Sequence, residues 1–221
     1  MKLKEIHLLT DDLSGTENFY RKVLGFRVAP GEASLLRIEA GMTTLFFHRS
    51  EGLHPVYHLA FDIPNNRLKE AHGQMKEKVH ILPVSPGKTI ADFTSWNAKS
   101  FYFYDNNGNV LEYITRYDLK NVSGRTFDGS SVLHLSEIGL VTDDVPKLAS
   151  AITSEYGVDL YPKQPPQEHF TVMGDEDGLF ILASNRRNWF PTDKRSTAYR
   201  TKVIFTTNQR DCEFTLDPEK K

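Results

Sequence analysis

Two histidines and one glutamate in this chain occupy positions that repeated strands would bring together. Leu3–Leu13 reads LKEIHLLTDDL and Leu135–Val145 reads LSEIGLVTDDV, and the ungapped match continues through a helix to Gly25 and Gly157. A shorter copy, Tyr57–Ile63 (YHLAFDI), places His58 where the first copy has His7, while the third copy has Gly139 there. Aligned on the glycines of their closing hairpins, Glu112 lies four residues after Gly108, where the other copies have Leu45 and Leu182. His7, His58 and Glu112 thus form a set of two imidazoles and one carboxylate on strand backbone. Such a set leaves three positions of an octahedral ion open on one face, as non-haem iron sites do and as substrate-chelating manganese sites can. Each residue alone reads more readily as a backbone-bonded core histidine or a rim carboxylate. Their joint placement at matching repeat positions is what points to a metal.

The elements that would carry this set follow from hydrophobic period and turn residues. Residues 3–10 read as a strand buried on both faces, and Ser14-Gly15-Thr16-Glu17 as a capping box. Phe19, Tyr20, Val23 and Leu24 share one helical face, which Gly25 ends. Strands are expected at 26–29, 34–39 and 43–48, completing a strand–helix–three-strand unit. The second unit has a strand over 56–63, a helix over 67–78 and a strand over 79–84. A loop follows at 83–99, then a hairpin over 100–104 and 109–115 around Asp105-Asn106-Asn107-Gly108. Residues 116–131 read as a crossover linker. The third unit has a strand at 135–142, a helix at 145–156 capped by Asp144, and strands near 159–161, 169–173 and 179–183. A last strand at 202–206 precedes a tail, from Asp211, that reads as frayed.

Composition narrows the class. With 221 residues, 39% of them hydrophobic and 25% charged, the chain has the makings of a substantial core. A formal charge of −2 argues against nucleic-acid or membrane-surface binding. No apolar run approaches the ~20 residues of a membrane span. The N-terminal stretch enters a strand pattern without a cleavage site, and the single Cys212 has no disulfide partner in the chain, so a cytoplasmic location is expected.

The stretches FYRKVLGF (Phe19–Phe26) and FYFYDNNGNVLEYI (Phe101–Ile114), with the repeats, resemble the vicinal oxygen chelate superfamily over residues 3–206. That group includes glyoxalase I, extradiol ring-cleaving dioxygenases, fosfomycin-resistance transferases and bleomycin-binding proteins. The resemblance implies an α+β fold of βαβββ units. Two of them, within residues 1–118, would pair around a metal held by His7, His58 and Glu112. Residues 119–133 would be a linker, 134–208 a degenerate third unit with an extra strand, and 209–221 a tail. A fourth ligand, present in glyoxalase I, would fall on Leu45, or on His48 if the hairpin register slips. Tyr102, ten residues before Glu112, matches a tyrosine that in the ring-cleaving enzymes hydrogen-bonds the metal-bound substrate oxygen. His80 is the only match to their acid–base histidines, since none lies between Ile81 and Ser100.

The function expected is therefore a metal-dependent enzyme binding a small substrate through adjacent oxygens. Extradiol dioxygenase-like chemistry on Fe(II) or Mn(II) ranks first, with Zn and Ni as the other ions. A lyase, glyoxalase-like or thiol-transferase enzyme on the same site is the alternative, as is a non-catalytic bleomycin-type binding protein. The third unit, with Gly139 and Leu182 at its ligand positions, is expected to be a remnant without a metal. Its concavity would be covered by Trp189-Phe190 or by a second copy of the chain, and a homodimer is expected.

Overall fold

The alternation of each hydrophobic stretch decides whether its strand has one covered face or two. The computed structural model describes residues 1–29 and 33–218. In the first unit β1 (Lys2–Thr10) is followed by α1 (Leu13–Asn18), a π-helical turn at Phe19–Val23, and β2 (Arg27–Val28), β3 (Leu35–Ala40) and β4 (Thr43–Arg49). In the second unit β5 (His58–Asp62), α2 (Leu68–Lys76), β6 (Ala91–Phe93), β7 (Ala98–Tyr104) and β8 (Val110–Arg116) repeat the pattern. The third has β9 (His134–Thr142), α3 (Val145–Tyr156), β10 (Phe170–Asp175) and β11 (Gly178–Ser184), and β12 (Thr201–Thr207) and β13 (Arg210–Leu216) end the chain. The expected helix over 145–156 is α3 itself, with Asp144 capping the Lys147 amide and Gly157 at φ +66° receiving the chain.

These strands form two sheets, ordered β13-β12-β1-β4-β3-β2 and β10-β11-β9-β5-β8-β7-β6. This mixed α+β architecture of βαβββ units is the one expected, but the pairing between units is different. The second unit joins the third through antiparallel β5 and β9, and the first joins the β12–β13 hairpin through antiparallel β1 and β12. Burial gives the reason. β5 and β9 are covered on both faces, whereas β1 alternates, with Lys2 and Lys4 exposed. A strand carrying charges on one face belongs in a sheet with one wet side. The third unit therefore has the second unit as its partner within the chain, rather than only the single strand expected at 202–206.

One core gathers Ile6, Leu8 and Phe47 of the first sheet with Leu59, Phe61, Leu111, Tyr113 and Phe180 of the second. The inner faces of the helices (Tyr20, Leu68, Met75, Val145 and Ile152) join the same core. A second cluster, including Ala60, Tyr102, Val110, Ile114, Ile181 and Trp189, lies on the other face of the second sheet. Alternation along β8 assigns Leu111 and Tyr113 to the first cluster and leaves Glu112 and Arg116 on the side of the second.

Three local expectations are corrected. Asp12, not the Ser14–Glu17 pair, caps α1 by accepting from the Gly15 amide at 2.8 Å. The strand expected at 79–84 is reduced to one bridge, Ile81 to Phe103, and β6 forms instead inside the expected loop. The tail from Asp211 is ordered as β13, whose Phe214 packs beside Phe180 and Tyr156. Among the described residues no helix is long and apolar enough to cross a membrane.

Candidate metal centre

His58, Glu112 and Glu137 present ligand atoms that all lie within 4.8 Å of one another. They come from three adjacent strands: β8 runs parallel to β5 with Ala60 opposite Glu112, and β9 runs antiparallel to it with Ala60 opposite Glu137. The small side chain of Ala60, flanked on both sides by carboxylates, leaves the space between them open. The His58 Nδ1–H donates to the Val110 carbonyl at 3.1 Å, which turns Nε2 toward Glu112 (3.5 Å) and Glu137 (3.8 Å). Ring orientation through the second nitrogen is the usual way a ligating histidine is held. All three residues are buried.

Arg116, fully buried, sits next to this group. Its guanidinium bonds Glu137 and, at 3.2 Å through Nε, Asp62. Glu176 lies 3.8 Å from the other nitrogen of that guanidinium, while Glu112 faces His58 instead, so buried carboxylates outnumber the one buried guanidinium. The proton affinities show the same surplus. Glu112 is pushed up to about 7, first by burial and then by the Glu137 charge, with His58 opposing. Burial pulls His58 down, but Glu137 and Glu112 outweigh it and leave it raised. Burial pushes Glu137 up, yet His58 and Arg116 hold it below the usual carboxylate value. Asp62 rises to about 6 through burial, against Arg116. One imidazole and two carboxylates are a hard, oxygen-rich set. The residues present fit a divalent metal.

The centre forms the buried floor of a cavity of about 270 Å³. Trp96, Tyr102, Ile114, Ile181 and Trp189 line it, and Ser95, Gln164, Arg187 and Phe190 stand at its more exposed rim. Tyr102 is directly opposite Glu112 in the β7–β8 register, a relation that parity across the hairpin could not supply, and its ring lies 6.4 Å from that of His58. Burial and the Glu112 charge raise its pKa well above the ordinary phenol value, so it keeps its proton.

Of the expected set, His58 and Glu112 come together and His7 does not. His7 lies on the other sheet, stacked on Phe46 at 4.5 Å, with Nδ1 3.0 Å from Nε2 of His48. Both line a separate cleft with Arg200 and Lys202. Burial first, and then Lys202, lower the pKa of His7 against an opposing hydrogen bond to Glu5, and burial, His7, Arg200 and Lys202 lower that of His48. The repeat match had correctly aligned His7 with His58, but equivalent positions converge only when their units pair, and these units do not. His48 likewise lies outside the group of His58, Glu112 and Glu137. Its register is nonetheless informative: Leu9 pairs with His48 as Ala60 pairs with Glu112 and Val141 with Ala183. The glycine count misplaced these positions onto Leu45 and Leu182 because the turns differ. Two residues separate β3 from β4 and β10 from β11, but five separate β7 from β8. His80 is exposed and does not line the cavity, because the neighbouring Ile81 and Leu82 take the buried positions.

Glu137 is the member of the group that the repeat comparison does not single out, and it comes from the third unit. The signal was present: Glu137 stands two residues before Gly139 and so shares its face, in a repeat whose first copy has Glu5 at the same place.

No protein-family model and no curated protein matches the sequence. Solved structures do match. A Bacillus subtilis protein put forward as a dioxygenase superposes with a TM-score of 0.61 at 14% identity, covering 99% of this chain and 86% of that one. A glyoxalase I variant from Zea mays gives 0.54 at 15% identity, covering 88% of this chain and 70% of that one. Together with the paired βαβββ units, these likenesses show that the chain has the fold of the vicinal oxygen chelate superfamily.

Proposed function

We propose that this chain is a metal-dependent enzyme acting on a small molecule held through two adjacent oxygens, with His58, Glu112 and Glu137 as the metal ligands. The observation that carries this reading is the buried surplus of carboxylate charge around one oriented imidazole, at the floor of a cavity lined by aromatic rings. A divalent ion would supply Lewis acidity to the substrate oxygens, and three protein donors would leave positions for a chelating substrate and dioxygen, which places extradiol-type oxidation first. Arg116 holds the Glu137 carboxylate in place. Tyr102, protonated beside Glu112, is placed to donate a hydrogen bond to a substrate oxygen. Trp189 covers His58 at 5.4 Å and keeps water from the floor.

A second reading is capture of an aromatic ligand without catalysis. It is favoured by the ring-rich lining and by Tyr102 being the only titratable side chain of the lining, apart from the proposed ligands and Arg187. Metal quantitation of the purified protein separates the two, followed by oxygen uptake over catechols and α-keto compounds after anaerobic iron loading. One divalent ion per chain with oxygen uptake supports the enzyme. Absence of stoichiometric metal after loading with Fe(II) and Mn(II) defeats it.

A further inference from the structure

The cavity has a cation at its rim with no counter-charge. Arg187 lines it, half-buried, with its guanidinium 4.2 Å over the ring of Phe170. Among the described residues its side chain makes no ion pair and no hydrogen bond. Its five donors match a carboxylate in a fixed fork. Burial lowers its pKa and no charged neighbour contributes. A second donor is also idle: the Trp189 indole N–H, buried at 4% exposure, has no acceptor.

Both belong to one segment that also supplies Phe190, and that segment is braced. Ser196 Oγ donates to the carbonyls of Ser184 (2.6 Å) and Arg187 (2.8 Å), and the Trp189 amide to Lys194 (2.9 Å). The backbone that carries both residues is therefore fixed beside the cavity they line. The floor, by contrast, is made of carboxylates. A ligand entering this space meets acceptors and a metal position at the bottom and a bare guanidinium at the top. A cavity of ~150 Å³ holds benzene, so about 270 Å³ admits one substituted ring.

We propose that the cavity takes single-ring aromatic acids, with the ring among Trp96, Tyr102 and Trp189 and the carboxylate paired with Arg187. This rests on the proposed function for the end of the ligand that faces the metal centre, but the acid-binding end stands on Arg187 alone. It makes Arg187 the residue that selects charged over neutral substrates.

The test uses the full chain supplied with Mn(II), with metal content measured on the same samples. Calorimetry compares benzoate, phenylacetate and 3-phenylpropanoate with their primary amides. At least one acid should bind ten-fold or more tightly than its amide. Arg187→Gln should bring that ratio to within about three-fold by weakening the acid more than the amide, and Arg187→Lys should restore part of it. Equal binding of acids and amides, a preference that survives in R187Q, or no binding by any acid would each overturn the proposal. If the protein holds no metal but the preference and its loss in R187Q are seen, the metal reading fails and the acid site stands. If metal is held without the preference, the reverse is true.

Discussion

The indole of Trp189 occupies the space where a side chain at Gly139 would stand. A Cβ there would lie 2.5 Å from Trp189 Cη2, 3.0 Å from Cζ2 and 3.2 Å from the His58 Cβ. The third unit thus lacks a histidine at its repeat position because a tryptophan from another segment fills the site. Gly139→Ala should shift the Trp189 ring and cost roughly 1–3 kcal/mol, the usual penalty for overpacking. Denaturant unfolding and the tryptophan emission spectrum would report it; values matching wild type would show that the ring yields freely.

The ligand assignment separates the two sheets. His58→Ala, Glu112→Gln and Glu137→Gln should each abolish retention of one divalent ion per chain. His7→Ala and His48→Ala should leave it intact, since those residues line a different cleft. Loss of metal in H7A with retention in E137Q would restore the pairing expected from the repeats alone.

Arg116 is buried between Glu137 and Asp62. Arg116→Met strands both carboxylates, and removal of one partner of a buried ion pair costs roughly 3–5 kcal/mol. In metal-free protein this should appear as a large fall in unfolding free energy. Asp62→Asn added to R116M should recover part of it; a double variant no more stable than the single would assign the cost to packing.

Asp105, in the turn before β8, gives a pH dependence away from the metal centre. Burial pushes its pKa up to about 6, against hydrogen bonds from Asn109, Asn107 and Tyr20. Its folded-state pKa is above the ordinary 3.8. Its contribution is therefore fully present below that value and is lost as pH rises through about 6. The stability of wild type relative to Asp105→Asn should increase between pH 7 and pH 4, by about 2–3 kcal/mol at most. A constant difference across that range would show that Asp105 titrates normally.

Much of the fold is legible locally. The DDL and DDV turns start α1 and α3, Gly25 and Gly157 end the matching helical stretches at positive φ, and Asp105–Gly108 turns β7 into β8. These features depend on residues a few positions apart, so capping, alternation and turn chemistry reveal them directly. His58 and Glu112 were legible for the same reason, since they lie within one unit whose first and last strands are neighbours.

The choice of partner between units was decided only in the tertiary structure. β1, β5 and β9 carry nearly the same motif, and each offers a free edge for antiparallel pairing. Backbone hydrogen bonds along such an edge are the same for any of them, so the selection rests on which faces become buried after folding. The exposed Lys2 and Lys4 keep β1 in the sheet with an open side, while β9 brings small or apolar residues around Glu137 to the covered one. That pairing moved His7 out of the group, brought Glu137 in across Ala60, and changed the candidate set from two imidazoles and a carboxylate to one imidazole and two carboxylates. A motif repeated three times specifies each copy's own structure, but its partner is set by burial over the whole chain, which no single copy encodes.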